Sequence, residues 1–516
     1  MKKQDLPLII AIITIIIVLL VSIYTLSIAD RAISQNELII IQIIFTIFTI
    51  LAIIIMAKIY NIKNIRPEKV LLIIMPIFCI LLSVAIPFGR GHDEIMHWYK
   101  AFEISEGQLT TPINKENRIS VSILPDGVQK TIVERSEGVF KYVDNISMLS
   151  EKMNYNEKII ATNQNSTAYC FIQYIPEVIG ILIGKLLTQT PILIAYFTRF
   201  INMIFCTIIM YFAIKKIPFG KNILLLLAII PIAIEGFTTS SPDGLTIAIS
   251  ALFISYTFYV AFDKNKICGT KETIILTIIG AIVSLCKIVY MPLIFLVLII
   301  PKEKFNSKKE RIISMLIILS IGVILNLVWL FFGSIALLNT NTNTYVGTNQ
   351  NGTLIKITTL LSNPLVYLQK MMYTFGLRFN QYFLSLFGGQ LEWAEVIKIE
   401  IIPYIIFIIA IIATFSDEKL KITLKKYQKI IMFLIVLIII ALIFTSLYIQ
   451  WSDNELPYID GVQGRYFLPI LPLILFLVAG LKIKTSYKNQ DITKLICISS
   501  FIIQLYTIAN VMAEHI

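Results

Sequence analysis

The sequence predicts an all-α polytopic membrane protein. Three observations carry this: a mean hydropathy of +0.81, a hydrophobic share of 57%, and apolar runs of spanning length that recur along nearly the whole chain. In lipid every backbone N–H and C=O needs an internal partner, so a chain crosses as helices or as a closed barrel. These runs are far too long for barrel strands.

Taken in order, about 13 spans are legible: 7–28, 38–60, 70–88, 193–213, 222–238, 244–262, 273–286, 289–300, 312–337, 397–415, 430–449, 466–481 and 494–512. Met1 to Gln4 followed by an Ile-rich run lacks a small-residue cleavage site and is read as a retained first helix. One stretch, "FIQYIPEVIGILIGKLL" at 171–187, is ambiguous. If it does not cross, the basic loops "KNIRPEK", "KKIPFGK", "DKNKICGTK", "PKEKFNSKKER", "EKLKITLKKYQK" and "KIKTSYKNQDITK" all share the side of Met1, as the positive-inside rule requires. It is therefore assigned to an interfacial or re-entrant helix, and the N-terminus to the cytoplasm. The chain then divides into three spans (1–88), an external segment with amphipathic helices (89–192), a bundle (193–337), a second external loop (338–396) and the C-terminal spans (397–516). Within the first external segment, "LPDGVQK" and "RSEGVF" supply turns for a small folded excursion with short strands.

The net charge of +12 would suggest nucleic acid in a soluble protein. In a membrane chain it reports topology, because Lys and Arg collect in cytoplasmic loops. The six cysteines are scattered without paired spacing, which argues against a disulfide framework or a zinc knuckle.

Chemistry concentrates where the third span ends, in "GRGHDEIMHWYKAF", which holds two of the three histidines. On a helix starting near Asp93, Asp93 and His97 are four residues apart and share a face, with Glu94 about 100° away. Ile95, Trp98 and Phe102 fall on the other side, so the segment reads as an amphipathic helix on the outer leaflet with its aromatics towards lipid. A charged cap on a membrane helix is the plainer alternative. His92 and His97 stand five apart, not the four of a zincin helix. Asp93 with His97 leaves a divalent metal, Mg or Mn, open as a cofactor.

Further signals lie at other helix ends. Asp243 follows "SSP" at the mouth of a helix, where a carboxylate is also an ordinary N-terminal residue. Lys287 sits in the broken helix "LCKIVYMP", and short interrupted helices often line a cavity. In "VQGRYF", Gln463, Arg465 and Tyr466 open the twelfth span, with Arg465 either a snorkelling anchor or a phosphate fork. Arg199, within an apolar run, is costly unless it meets an anion or a cavity.

In order and across almost the entire chain, "DE…H", "ISEGQL", "R..N", "SPDGL", a Lys in a broken helix, "FGGQLEW" and "QGRYFLPILP" resemble a bacterial family of membrane proteins classed as domain-of-unknown-function family twenty-one forty-two. That family is similar to the lipid-linked glycosyltransferases of the GT-C fold, among them the protein O-mannosyltransferases and aminoarabinose transferases. The resemblance implies Asp93 as the catalytic carboxylate, Glu94 as its supporter, His97 as a cavity residue, Asp243 as a second acidic site and Arg465 as a candidate for the carrier phosphate. The chain departs from the O-mannosyltransferase pattern in having three spans before the motif instead of one.

The expected activity is transfer of a sugar from a polyprenyl-phosphate carrier to a cell-surface glycan at the outer face of the cell membrane. Such an enzyme needs a base for the acceptor hydroxyl, here Asp93, and cations for the departing phosphate, from Arg465 with Lys287 or Arg199. No Gly-rich phosphate loop follows a strand, which points away from a nucleotide-linked donor. The competing classes are a transporter or flippase of lipid-linked glycans, which would place ionisable groups near the midplane and often show a repeat, and a non-catalytic subunit of an envelope polysaccharide system.

Overall fold

The computed structural model describes residues 6–29, 33–111, 121–131, 142–162, 166, 169–334, 351–392, 397–416, 424–452, 456–479 and 488–516. The stretch "RSEGVF", the far ends of the predicted spans 312–337 and 466–481, part of the second external loop and parts of two basic loops lie outside these residues.

The chain is a mostly helical multi-pass membrane protein. Eight helices are long and apolar enough to cross: α1 (Leu6–Ile28), α2 (Gln35–Tyr60), α3 (Pro67–Ala85), α7 (Pro191–Lys216), α10 (Asp243–Phe262), α12 (Lys308–Trp329, continued to Phe332), α16 (Lys426–Gln450) and α18 (Asn489–His515). Between α3 and α7 come α4 (Glu94–Ser105), the short α5 (Tyr142–Ser147) and α6 (Ile175–Leu187). A ninth span is the pair α8 (Lys221–Ile229) and α9 (Pro231–Thr238), bent by 65°, because Pro231 has no N–H to give and its ring clashes with the preceding turn. Helix α11 (Thr270–Cys286), α15 (Ile401–Ser416), the 3₁₀ segment Ile288–Ile299 and the composite Gly464–Ala479, whose last part is α17 (Leu471–Ala479), are shorter. All 13 predicted runs are thus helical, but only eight, or nine with the bent pair, reach spanning length among the described residues.

Helix α10 is the centre of the bundle, with 83% of its apolar window buried, whereas α1 and α2 bury only 17% and 22% and turn most of their Ile and Leu outwards. In water those faces would be a liability; in a bilayer they meet hydrocarbon.

The two ends of the bundle differ in kind. At one end the basic loops are tied together: Lys221 pairs with Glu68 at 3.3 Å, Asn222 donates to the Asn489 carbonyl, Lys304 O accepts from Cys268 N, and Gln428 donates to Ile299 O. The ends of α3, α9, α11 and α18 and the starts of α10 and Gly464–Ala479 meet at the other. Successive helical runs alternating between the two ends produce this sorting.

Two expectations change, at α4 and at the second external loop, while 171–187 agrees with the non-crossing helix assigned to it. The aromatic face of α4 does not look at lipid: Trp98 and Phe102 are fully buried, Trp98 packs edge-on against Phe88, and the helix is enclosed by α6, α7 and strand β1 (Val121–Asp126). The segment 171–187 is a 3₁₀ turn followed by the 13-residue α6, about 20 Å long and too short to cross. It lies along the first turns of α7, where a Cβ on Gly180 would stand 2.6 Å from Thr198 Cα, so the small-xxx-small pair Gly180 and Gly184 permits the close approach. The described residues of the predicted second external loop are largely helical, as α13 (Asn351–Ser362) and α14 (Pro364–Leu386). The folded excursion is present: β1 pairs antiparallel with β2 (Asn154–Thr162).

Candidate functional site

Four charges meet at the site end. Asp93 immediately precedes α4 in the left-handed region, φ 55°, without capping it through its side chain; that conformation costs a non-glycine residue energy and tends to persist at functional positions. Its Oδ2 accepts from Arg465 Nη2 at 2.9 Å. Arg465 Nη1 and Lys287 Nζ reach the two oxygens of Asp243, Arg465 Nε donates to Gln463 at 2.6 Å, and the Tyr466 hydroxyl is 3.4 Å from Nη2. Both cations also lie over the Tyr466 ring. The guanidinium is therefore a flat bridge between two carboxylates from distant parts of the chain, which its fixed fork of donors suits.

Each member is placed by the end of an element. Asp243 starts α10 directly after Pro242, Lys287 is the extended residue between α11 and Ile288–Ile299, and Arg465 begins the 3₁₀ turn of Gly464–Ala479. Gly464 precedes it because a Cβ there would run into Tyr382 O and Ser385. Arg465 is buried, whereas the Asp93 side chain remains 37% exposed and is the most open carboxylate of the four-charge group. Burial would raise Asp93, yet the Arg465 guanidinium holds it below the usual carboxylate range. It is ionised at neutral pH.

His97 shares a hydrogen bond through Nδ1 with the Tyr174 hydroxyl at 2.7 Å. Burial pushes its pKa down to about 4 despite the nearby carboxylates, so the ring is neutral.

Two predicted site residues are elsewhere. Arg199 gives Nε and Nη2 to Glu94 at 2.7 and 2.6 Å and its remaining donors to the carbonyls of Ser83, Ile86 and Pro87. With its donors committed it has none for a phosphate. Glu94 in turn accepts the N–H groups of Gly89 and Ser240. It is a buried tie between the turn that carries Asp93 and the turn that carries Asp243, not a partner of Asp93. Neighbours on a helix diverge by about 100°, enough to send Asp93 and Glu94 to different surroundings.

Sequence reasoning missed a second buried chain beside the first. His92 Nδ1 is 2.7 Å from Glu235 Oε1, Glu235 accepts from the Glu392 N–H at 3.3 Å, and Glu392 meets His515 Nε2 at 2.7 Å and Arg90 at 3.5 Å. Glu392, at φ 67°, ends the short strand β3 (Gln390–Leu391), which pairs with β4 (Ile397–Lys398). Glu235 was visible as the lone acid in "PIAIEGF", since a carboxylate inside an apolar run is rare and costly.

His92, Glu235, Asp243, Tyr290, Arg465 and Tyr466 line one narrow cleft, with about 20 Å³ of free volume, on the order of one water. Metal ligation does not fit the described residues: no three His, Cys, Asp or Glu side chains gather among them, and Asp93 and His97 face Arg465 and Tyr174 instead of a common centre.

No curated protein and no solved structure matches the chain. A family model described as "Predicted membrane protein (DUF2142)" matches residues 76–474, a stretch that contains the four-charge group, Glu235 and Glu392. With well over half of its length covered, the chain belongs to the DUF2142 family of predicted membrane proteins.

Proposed function

We propose that the chain is an integral membrane glycosyltransferase that moves a sugar from a polyprenyl-phosphate carrier to a glycan acceptor at the outer surface of the cell membrane. The observation that supports this best is the convergence of Arg465 and Lys287 on Asp93 and Asp243 at the bundle end opposite the basic loops. A lipid-linked donor keeps its tail between helices and its phosphate at that level. Asp93 takes the proton of the acceptor hydroxyl as its oxygen bonds to the anomeric carbon. The bond from that carbon to the phosphate oxygen breaks, and the electron pair leaves with the carrier phosphate, held by Arg465 and Lys287. Asp243 keeps the two cations side by side. A transporter would hold its charges near the midplane; this group sits at helix ends.

Arg465→Lys tests the reading. Lysine keeps the charge but cannot reach Gln463, Asp243 and Asp93 together, so turnover should fall on the order of 10²-fold, measured as transfer from polyprenyl-phosphate sugar at matched protein level. Near-normal turnover would return Arg465 to a snorkelling anchor.

The orientation has its own check, helped by the burial of all six native cysteines. A cysteine replacing Glu157 should react with a membrane-impermeant thiol reagent in intact cells, and one replacing Asn306 should be protected. The reverse pattern would put the four charges on the cytoplasmic face.

A further inference from the structure

The cleft at Arg465 holds little more than water, so a sugar ring needs other room. A second cavity, about 220 Å³, is lined by Gln463, whose Oε1 accepts from Nε of Arg465, a residue of the first cleft. Its walls are α14, through Arg378, Gln381 and Tyr382, and the loop from Ile459 to Gln463.

The loop wall is fixed by its backbone. Ile459 N–H donates to Thr374 Oγ1 at 2.8 Å, Asp460 N–H to Ser452 Oγ at 2.9 Å, and Gly464 N–H to Ser385 Oγ at 2.8 Å. Gly461, at φ 81°, turns the chain against Trp451, where a Cβ would stand 2.5 Å from the ring. Two charged side chains in the cavity are oriented and partly exposed. Asp460 is 48% exposed and its carboxylate is 3.8 Å from Arg378, beyond hydrogen-bond reach. Arg378 lies over the Tyr458 ring and donates to Gln381 at 2.9 Å.

The chemistry of these groups selects a class of ligand. A carboxylate, a planar guanidinium and two amides offer mixed donors and acceptors in a small space, which adjacent hydroxyls satisfy in both directions. The charges of Arg378 and Asp460 cancel, and Asp460 would repel a phosphate. An uncharged polyhydroxyl ring fits where an anion does not. Arg378 and Asp460 both stay partly exposed at its mouth.

Building on the glycosyltransferase reading, we propose that this cavity is the subsite for a neutral sugar ring of the acceptor, docked by Arg378, Asp460 and Gln463 beside Arg465. Saturation-transfer NMR on the full chain in detergent tests it, with the methyl glycosides of glucose, galactose, rhamnose and N-acetylglucosamine as probes at millimolar concentration. At least one should pick up saturation from the protein. Asp460→Asn and Arg378→Ala should each weaken that binding about tenfold, the cost of a lost hydrogen bond to a charged group, with unchanged melting temperature. No saturation with any probe, or equal saturation in Asp460→Asn and Arg378→Ala, overturns the subsite. Displacement of the glycoside by polyprenyl-phosphate glucose in the same micelles would give the cavity to the donor and overturn its assignment to the acceptor. Absence of transfer from polyprenyl-phosphate sugar by the wild-type chain would sink the transferase reading instead, whatever the glycosides do.

Discussion

Asp93→Asn should lower sugar transfer by about 10²–10⁴-fold, the usual contribution of a general base, while the protein inserts at normal levels. The asparagine keeps the shape of the side chain and its Oδ can still accept from Arg465 Nη2, so the architecture around it survives. What disappears is the basicity, together with one negative charge facing the guanidinium. Donor phosphate should then bind at least as well as before, because Arg465 loses a competitor. A drop in the turnover number with donor KM unchanged or lower is therefore the expected pattern, read from initial rates with purified protein at matched amounts. Wild-type turnover in Asp93→Asn would remove the base from this position.

Glu94→Gln should act through the fold. The carboxylate receives four donors, two from Arg199 and one each from the backbones of Gly89 and Ser240, and both partners of the pair are almost wholly buried. An amide offers one acceptor oxygen, and its NH₂ faces donors. Removing one partner of a buried ion pair leaves the other charge uncompensated and costs about 3–5 kcal/mol, so Glu94→Gln and Arg199→Gln should each depress the melting temperature in detergent and the level in the membrane. Since the two residues act as a unit, the double variant should be less damaged than the sum of the singles. Additive losses, or a stable Glu94→Gln protein that is merely slow, would make Glu94 a participant in the chemistry after all.

These contrasting expectations for adjacent residues show what the sequence could and could not deliver. Asp93, Asp243, Lys287, Gln463, Arg465 and Tyr466 were legible because polar residues at the ends of apolar runs stand out against an otherwise uniform background, and alternation of the crossings gathers those ends. Helix positions followed from run length alone. Pairing did not. Arg199 advertised its need for an anion, but Glu94 lies 105 residues away, and nothing local distinguishes it from Asp93. Glu235 with His92, and Glu392 with His515, are separated by 143 and 123 residues, so each was visible as an isolated oddity without its partner. The helical character of α14 was hidden for another reason: its apolar residues are mixed with Gln, Lys, Arg and Asn, too polar for a span yet suited to lie across the ends of its neighbours.

The short elements around the four charges bear on the lipid itself. Ile288–Ile299 rises about 24 Å as a 3₁₀ helix, Gly464–Ala479 about 27 Å with its 3₁₀ turn and nine α-helical residues, and the bent pair α8–α9 loses further height at Pro231. Hydrocarbon is about 30 Å thick, and a protein face shorter than that is met by thinning of the adjacent leaflet or by oligomerisation. The bent pair and Gly464–Ala479 are largely buried, so only Ile288–Ile299, through the exposed Ile288, Phe295 and Leu298, can present a short face to lipid. Under the proposed function, thinning of the leaflet beside that face would bring a carrier headgroup towards the depth of Lys287, the residue that precedes it.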